Sequence, residues 1–272
     1  MTSRRELSVT YAILGAFSLI ALLPIVGIVF TALQDQGALA PFGTFHGLHF
    51  RNFADAWSDG HFGTYLKSSA IVTVTVVAVA VVLSILAGYA FGLMRFRGSQ
   101  FLFYVLLIGM MVPMEAMIVP LYYDFRDLGL TDTYWGLILP QIGLSVSFGT
   151  FWMRTYFRSV PPSLVEAARI DGASSWFTLW RVLLPLARPA VLTMTVLLFM
   201  WTWNEFLLAL VMVSDESLRT APLGLSFFQG RNRADLTLLA AGAVIVATPV
   251  VLLYVFLQRH FIRGMLSGAV KG

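Results

Sequence analysis

Long uncharged stretches alternate with short polar, arginine-bearing connections along this 272-residue chain. Uncharged apolar runs cover 7–34, 68–94, 133–153 and 236–258. Two more, 98–123 and 189–214, are each interrupted by a single acid, Glu115 and Glu205. A helix crosses the hydrocarbon core of a bilayer with about 20 apolar residues. The pattern therefore predicts an all-α polytopic membrane protein with six transmembrane helices, at about 8–33, 66–94, 100–122, 133–156, 188–213 and 236–259. They form one domain over 1–272, with a long polar loop at 157–187 between the fourth and fifth helices.

Composition agrees. Hydrophobic residues make up 58% of the chain and charged residues 12%, about half the charged share of a soluble domain. Mean hydropathy is +0.80. The net charge of +4 would suggest nucleic acid in a soluble protein. Here the basic residues sit between apolar runs, as in membrane orientation. Placing the N-terminus inside leaves twelve of the 18 lysines and arginines on the cytoplasmic side, so both ends are predicted inside. The first run exceeds the 7–15 apolar residues of a signal peptide and reads as a retained anchor. There is no cysteine, which excludes disulfides and thiolate chemistry. His46 and His49 have no carboxylate beside them in sequence, so no metal site is expected.

The 157–187 loop has its own local signals. Pro161-Pro162 ends the fourth helix. Ser163 stands three residues before Glu166, the spacing of a capping box, and predicts a short helix over about 164–171. Ala167 and Ala168 give that helix a shallow surface, and Gly172 suits the left-handed position that closes it. Ser174 or Ser175 can cap a second helix carrying Trp176, Leu179, Val182 and Leu183, ending before Pro185.

Glu166-Ala167-Ala168, Asp171-Gly172 and Leu184-Pro185, at this spacing and between helices four and five, resemble the Glu-Ala-Ala loop of binding-protein-dependent ABC importer permeases. Val182 stands where that family usually has isoleucine. Ala87-Gly88-Tyr89-Ala90, Arg95-Phe96, Pro120-Leu121-Tyr122 and Trp203-Asn204-Glu205-Phe206 resemble its carbohydrate branch, the maltose and glycerol-phosphate type. Tyr65-Leu66-Lys67-Ser68-Ser69 is also similar, with Ser68-Ser69 where Asn-Ser is usual. The resemblance spans about 50–270 and implies the type I importer permease fold in a bacterial or archaeal inner membrane. It implies that Ser163, Glu166, Ala167, Ala168, Asp171, Gly172, Leu184 and Pro185 couple to an ATPase. The implied partners are two ATPase subunits, a second homologous permease and an extracytoplasmic solute-binding protein.

The chain itself is not expected to be an enzyme or to bind a cofactor. It has no Gly-x-x-x-x-Gly-Lys-Ser/Thr loop, and its only lysines are Lys67 and Lys271. Glu115 and Glu205 are the intramembrane acids, and such groups usually face protein or water. On a continuous fifth helix, Trp201, Asn204, Glu205 and Leu208 share a face, and an indole, an amide and a carboxylate suit a sugar. These residues and Glu115 are the substrate-pathway candidates. A second reading makes Trp201 an interfacial residue and has Asn204 and Glu205 hold helix five to a neighbour. The connection at 214–235 is longer than the roughly 2–8 residues usual between bundle helices. Its Phe227, Phe228, Gln229 and Gly230 suit a flexible probe of a binding protein, or else a loop packed over its own helices. The predicted function is solute translocation driven by a partner ATPase, with a sugar as the expected solute. Another small solute is the alternative, and an ion-coupled transporter using the two acids is the more distant one.

Overall fold

In hydrocarbon a backbone must satisfy its own N–H and C=O groups, so apolar runs become helices. The computed structural model describes residues 4–35, 47–228 and 235–269, and all regular structure among them is helical. In chain order the helices are α1 (Arg4–Ala32), α2 (Arg51–Asp59), α3 (Phe62–Leu93), α4 (Ser99–Met111), α5 (Met114–Asp127), α6 (Tyr134–Ser159), α7 (Pro162–Ile170) and α8 (Ser175–Phe177). A π-helical turn (Thr178–Leu183) leads into α9 (Leu184–Trp203), followed by α10 (Leu207–Met212), α11 (Ala221–Gly224) and α12 (Leu236–Ala269). Among the described residues five helices are long and apolar enough to cross a membrane, or six if α4 and α5 count as one broken span.

Three of the expected spans are modified. The third is bent by 96° between α4 and α5. Pro113 removes an amide donor and forces Val112 into an extended conformation, so the helix cannot pass through. The fifth both starts and ends earlier than expected: it is helical from Ser175 to Trp203, and α10 follows after a break. Pro185 does not end the helix before it. The backbone widens into the π-helical turn just ahead of Pro185 and then resumes, so the missing amide is absorbed within a continuous helix. The sixth span continues past 259 to Ala269.

The chain divides into two compact units. The first comprises Met1–Leu66 and Leu223–Pro249. Here Asn52 donates from Nδ2 to the carbonyls of Ala32 (3.0 Å) and Gln34 (2.7 Å), which closes the end of α1. Phe62 and Tyr65 are fully buried, and Phe62 stacks on Phe228 with ring centroids 6.2 Å apart. His49 has an acidic partner after all: its Nε2 lies 2.7 Å from Asp35 Oδ1. His46 lies outside the described residues.

The second unit comprises Lys67–Pro222 and Val250–Gly272. Its core gathers Val77, Ala80, Ile85 and Tyr89 of α3, Met153 and Phe157 of α6, Leu179 and Leu183 of the π-helical turn, and Ala187, Met194 and Leu198 of α9. Burial from water contributes little between helices in lipid, so close van der Waals fit must hold them. Small residues provide that fit. A Cβ on Gly149 would fall against Ser84 Oγ, and one on Gly88 would lie 2.5 Å from Met153 Cβ. Trp152 Nε1 donates to the Ala190 carbonyl at 3.0 Å and ties α6 to α9. Arg154 donates from Nε to the Phe91 carbonyl (3.2 Å), and its guanidinium lies 3.8 Å from the Phe103 ring centroid.

Candidate functional site

The 157–187 loop folds through backbone signals. The α7 helix begins at Pro162, with Pro161 as its extended N-cap residue, and no side chain caps it. This corrects the expected capping box. Proline's preset φ and missing amide suit the first helical position, so the helix starts one residue before Ser163, and Ser163 lies inside the first turn. The C-terminus matches expectation. Gly172 has φ +76°, its amide bonds the Arg169 carbonyl (3.0 Å), and the Ala173 amide bonds the Ala168 carbonyl (2.9 Å). That pair of bonds is a Schellman motif. Ser174 then caps α8 by accepting from the Phe177 amide at 3.2 Å.

Ser163, Glu166 and Ala167 are exposed on one face of α7. The other face, with Leu164, Val165 and buried Ala168, packs inward, and Leu164 and Val165 reach the unit's core. The exposed face ends in Ile170, which is 85% exposed. Beside it a cleft of about 610 Å³ is lined by Ala168, Asp171, Gly172, Ser174, Phe177 and Val182, among others. Trp176 and Phe177 are also exposed. Ile170 and Phe177 were not singled out from sequence. Their signal was available: Ile170 continues the Ser163–Glu166–Ala167 face by one helical turn, as an apolar residue in a polar island. Pro185 is exposed and Leu184 partly buried at the start of α9.

The intramembrane candidates do not share one helical face. The α9 helix ends at Trp203, and 204–206 are non-helical. Asn204 donates from Nδ2 to the Met200 carbonyl at 2.7 Å, while Glu205 Oε1 accepts the Leu208 amide at 2.7 Å. One polar residue thus closes α9 and the next opens α10. Leu208 is buried, and Trp201 is half-exposed and packs edge-to-face with Phe148, ring centroids 4.6 Å apart. Glu115 is exposed in the first turn of α5, where a negative charge suits the helix N-terminus.

Of the two candidate aromatics after α11, only Phe227 is presented. It is 49% exposed, whereas Phe228 is 5% exposed beneath Phe62. Gln229 and Gly230 lie outside the described residues.

A family described as "Binding-protein-dependent transport system inner membrane component" matches residues 80–267. Similar proteins include a probable ABC transporter permease of Bacillus subtilis, 38% identical across 82% of this chain and 74% of its own length. A diacetylchitobiose uptake system permease of Streptomyces coelicolor is 30% identical over 99% of this chain and 91% of that protein. A trehalose transport system permease of Mycobacterium tuberculosis is 32% identical over 93% of this chain and 93% of that protein. Among solved structures, a chain of a bacterial ABC transporter involved in the import of the acidic polysaccharide alginate aligns with a TM-score of 0.81. It shares 28% identity and covers 96% of this chain and 99% of that one. Long apolar helices, a structured polar loop between α6 and α9 and these matches agree: the chain belongs to the binding-protein-dependent transport system inner membrane component family and is an inner-membrane permease subunit of an ABC importer.

Proposed function

We propose that this permease imports a sugar or sugar derivative and that α7 is where it receives work from a partner ATPase. The observation that carries the reading is the outward face of α7 with its Schellman-closed end at Gly172. Two small or short side chains, Ser163 and Ala167, flank Glu166 on that face and let another body approach closely. Ile170, Trp176 and Phe177 offer apolar contact around the adjacent cleft. Asp171 and Gly172 set the turn, and Leu184-Pro185 joins the loop to α9, so a push on α7 passes into the fifth span. The similarity to diacetylchitobiose and trehalose permeases supports a sugar as cargo.

The assembly contains two ATPase subunits, a second homologous permease and an extracytoplasmic binding protein. Both compact units act as one permease domain of six spans, with α4 and α5 forming the third and both chain ends in the cytoplasm. ATP closes the ATPase pair, α7 moves with it, and the helices open outward beneath the docked binding protein. The loop must contact the two ATPase states differently, since equal contact would transmit no work. Trp201, Asn204, Glu205 and Glu115 mark the pathway. Non-helical backbone at membrane depth is tolerated where it lines a cavity, and the breaks at 112–113 and 204–206 are such places.

The test is purification of the intact complex, identification of the solute on its binding protein, and ATP-driven uptake of that solute into vesicles. Impermeant labelling of single cysteines, introduced into a chain that has none, reads the topology. Sites near 50 and 217 should label from outside, and sites near 97 and 170 should not. Labelling at 170 from outside would sink both the topology and the ATPase contact.

A further inference from the structure

The segment after α10 is stitched to distant parts of the second unit at three points. Asp132 lies in the left-handed region, with φ +54°. Its Oδ1 accepts two successive amides, Ser214 (2.5 Å) and Asp215 (2.9 Å), and its own amide donates to the Met212 carbonyl (3.0 Å). Ser68 Oγ donates to the Ser217 carbonyl at 3.2 Å and lies 3.1 Å from the Tyr134 hydroxyl. Buried Ser69 accepts the Ala221 amide at 2.8 Å. Between these points Asp215 takes the Ser217 amide at 2.8 Å, which shapes the turn at Glu216–Leu218. Ser214, Asp215, Glu216 and Ser217 are exposed. The backbone is therefore held from one side while the side chains face outward.

We infer that Asp132 is a positioning residue that presets segment 212–221 as a rigid platform for the docking binding protein. This rests on the import reading above. A free segment of this length would lose about 1–2 kcal/mol of conformational freedom per residue on docking, and a preset one does not. Aspartate fits the task twice. It tolerates a left-handed backbone better than most residues, and an ionised carboxylate accepts amide bonds more strongly than a neutral group. Asparagine keeps the backbone preference and a carbonyl acceptor, whereas alanine keeps neither.

The permease is assembled with its partner permease and ATPase subunits in lipid nanodiscs, as wild type, Asp132→Ala and Asp132→Asn. ATPase stimulation is titrated with the complex's own binding protein, carrying the solute with which it purifies. Asp132→Ala should raise the half-stimulating concentration about tenfold, the low end for losing a charge-assisted hydrogen bond. Basal ATPase activity and the maximal stimulated rate should stay unchanged, and Asp132→Asn should recover most of the loss. Hydrogen exchange across 213–217 reads the anchor without the binding protein: protected in wild type, faster in Asp132→Ala, restored in Asp132→Asn. Fast exchange in wild type, or an Asp132→Ala curve that overlays wild type, overturns the inference. So does a lowered maximal rate with an unmoved half-point, which marks a general structural defect. A wild-type complex with a protected segment but no stimulation would instead sink the import reading, since exchange reports the anchor separately.

Discussion

The α7–α8 loop and segment 212–221 are both connections between helices of the second unit, and they gain order in opposite ways. The α7–α8 loop is shaped by its own backbone. Proline sets the start of α7, Gly172 turns its end, and Ser174 caps the next helix, all through bonds spanning five residues or fewer. Segment 212–221 is shaped by others. Its anchors at Ser214 and Asp215 reach back 82 and 83 positions to Asp132, and the one at Ala221 reaches back 152 to Ser69. A locally determined element keeps its shape while it is pushed, which suits a lever. An element held from a distance stays ordered only while its supporting helices keep their places, so helix movement can loosen it.

The comparison breaks most severely at Gly172. Gly172→Val places a β-branched side chain at φ +76°, a strain at the upper end of about 1–3 kcal/mol concentrated in one turn. ATP-driven uptake should fall at least about tenfold, with insertion and segment 212–221 unaffected. Uptake assay and hydrogen exchange across 165–175 check it, and wild-type uptake by a well-expressed variant would end the lever reading. Ser69→Ala comes next. It leaves the Ala221 amide without its acceptor at a cost of about 1–2 kcal/mol, lowers the Tm of the purified complex by a few degrees and speeds exchange at 219–222. The α7 turn should not notice.

Acid gives a smaller effect confined to segment 212–221. The Ser217 amide holds the Asp215 carboxyl below its ordinary value. Its stabilisation is complete above the ordinary carboxylate range and is lost as pH falls through the lowered value, below about 4. Protection at Ser217 should weaken there and nowhere in α7. Asp215→Ala, which keeps no acceptor, should reproduce the loss at neutral pH. The smallest effect belongs to Ser163→Ala. Because Ser163 is not the cap, its removal should change stability by less than about 0.5 kcal/mol. A drop of about 1 kcal/mol or more, measured by thermal unfolding, would restore the capping box.

Hydrophobic run length located the spanning helices because the bilayer demands a minimum apolar length from any helix that crosses it. Gly172 was legible because a left-handed closing residue is a local demand. Ser163 misled because two start signals overlapped and the prolines took the first helical position. Pro185 misled because a helix can widen by one π-helical turn instead of stopping. Asn204 and Glu205 looked like two polar residues on one face, but each serves a helix end, and the break between α9 and α10 had no proline or glycine to announce it.

The sequence by itself determined the helical class, the apolar spans, the polar loop between the fourth and fifth, and the family. Each rests on residues close together in the chain. Tertiary structure alone decided that Asp132, Ser68 and Ser69 hold the segment after α10, that Phe228 is covered while Phe227 is presented, and that Gly149 admits Ser84. Those outcomes depend on pairs separated by many turns of helix. The hydrophobic period of each helix says which residues are apolar, but not which distant partner completes a hydrogen bond or fills the space above a glycine.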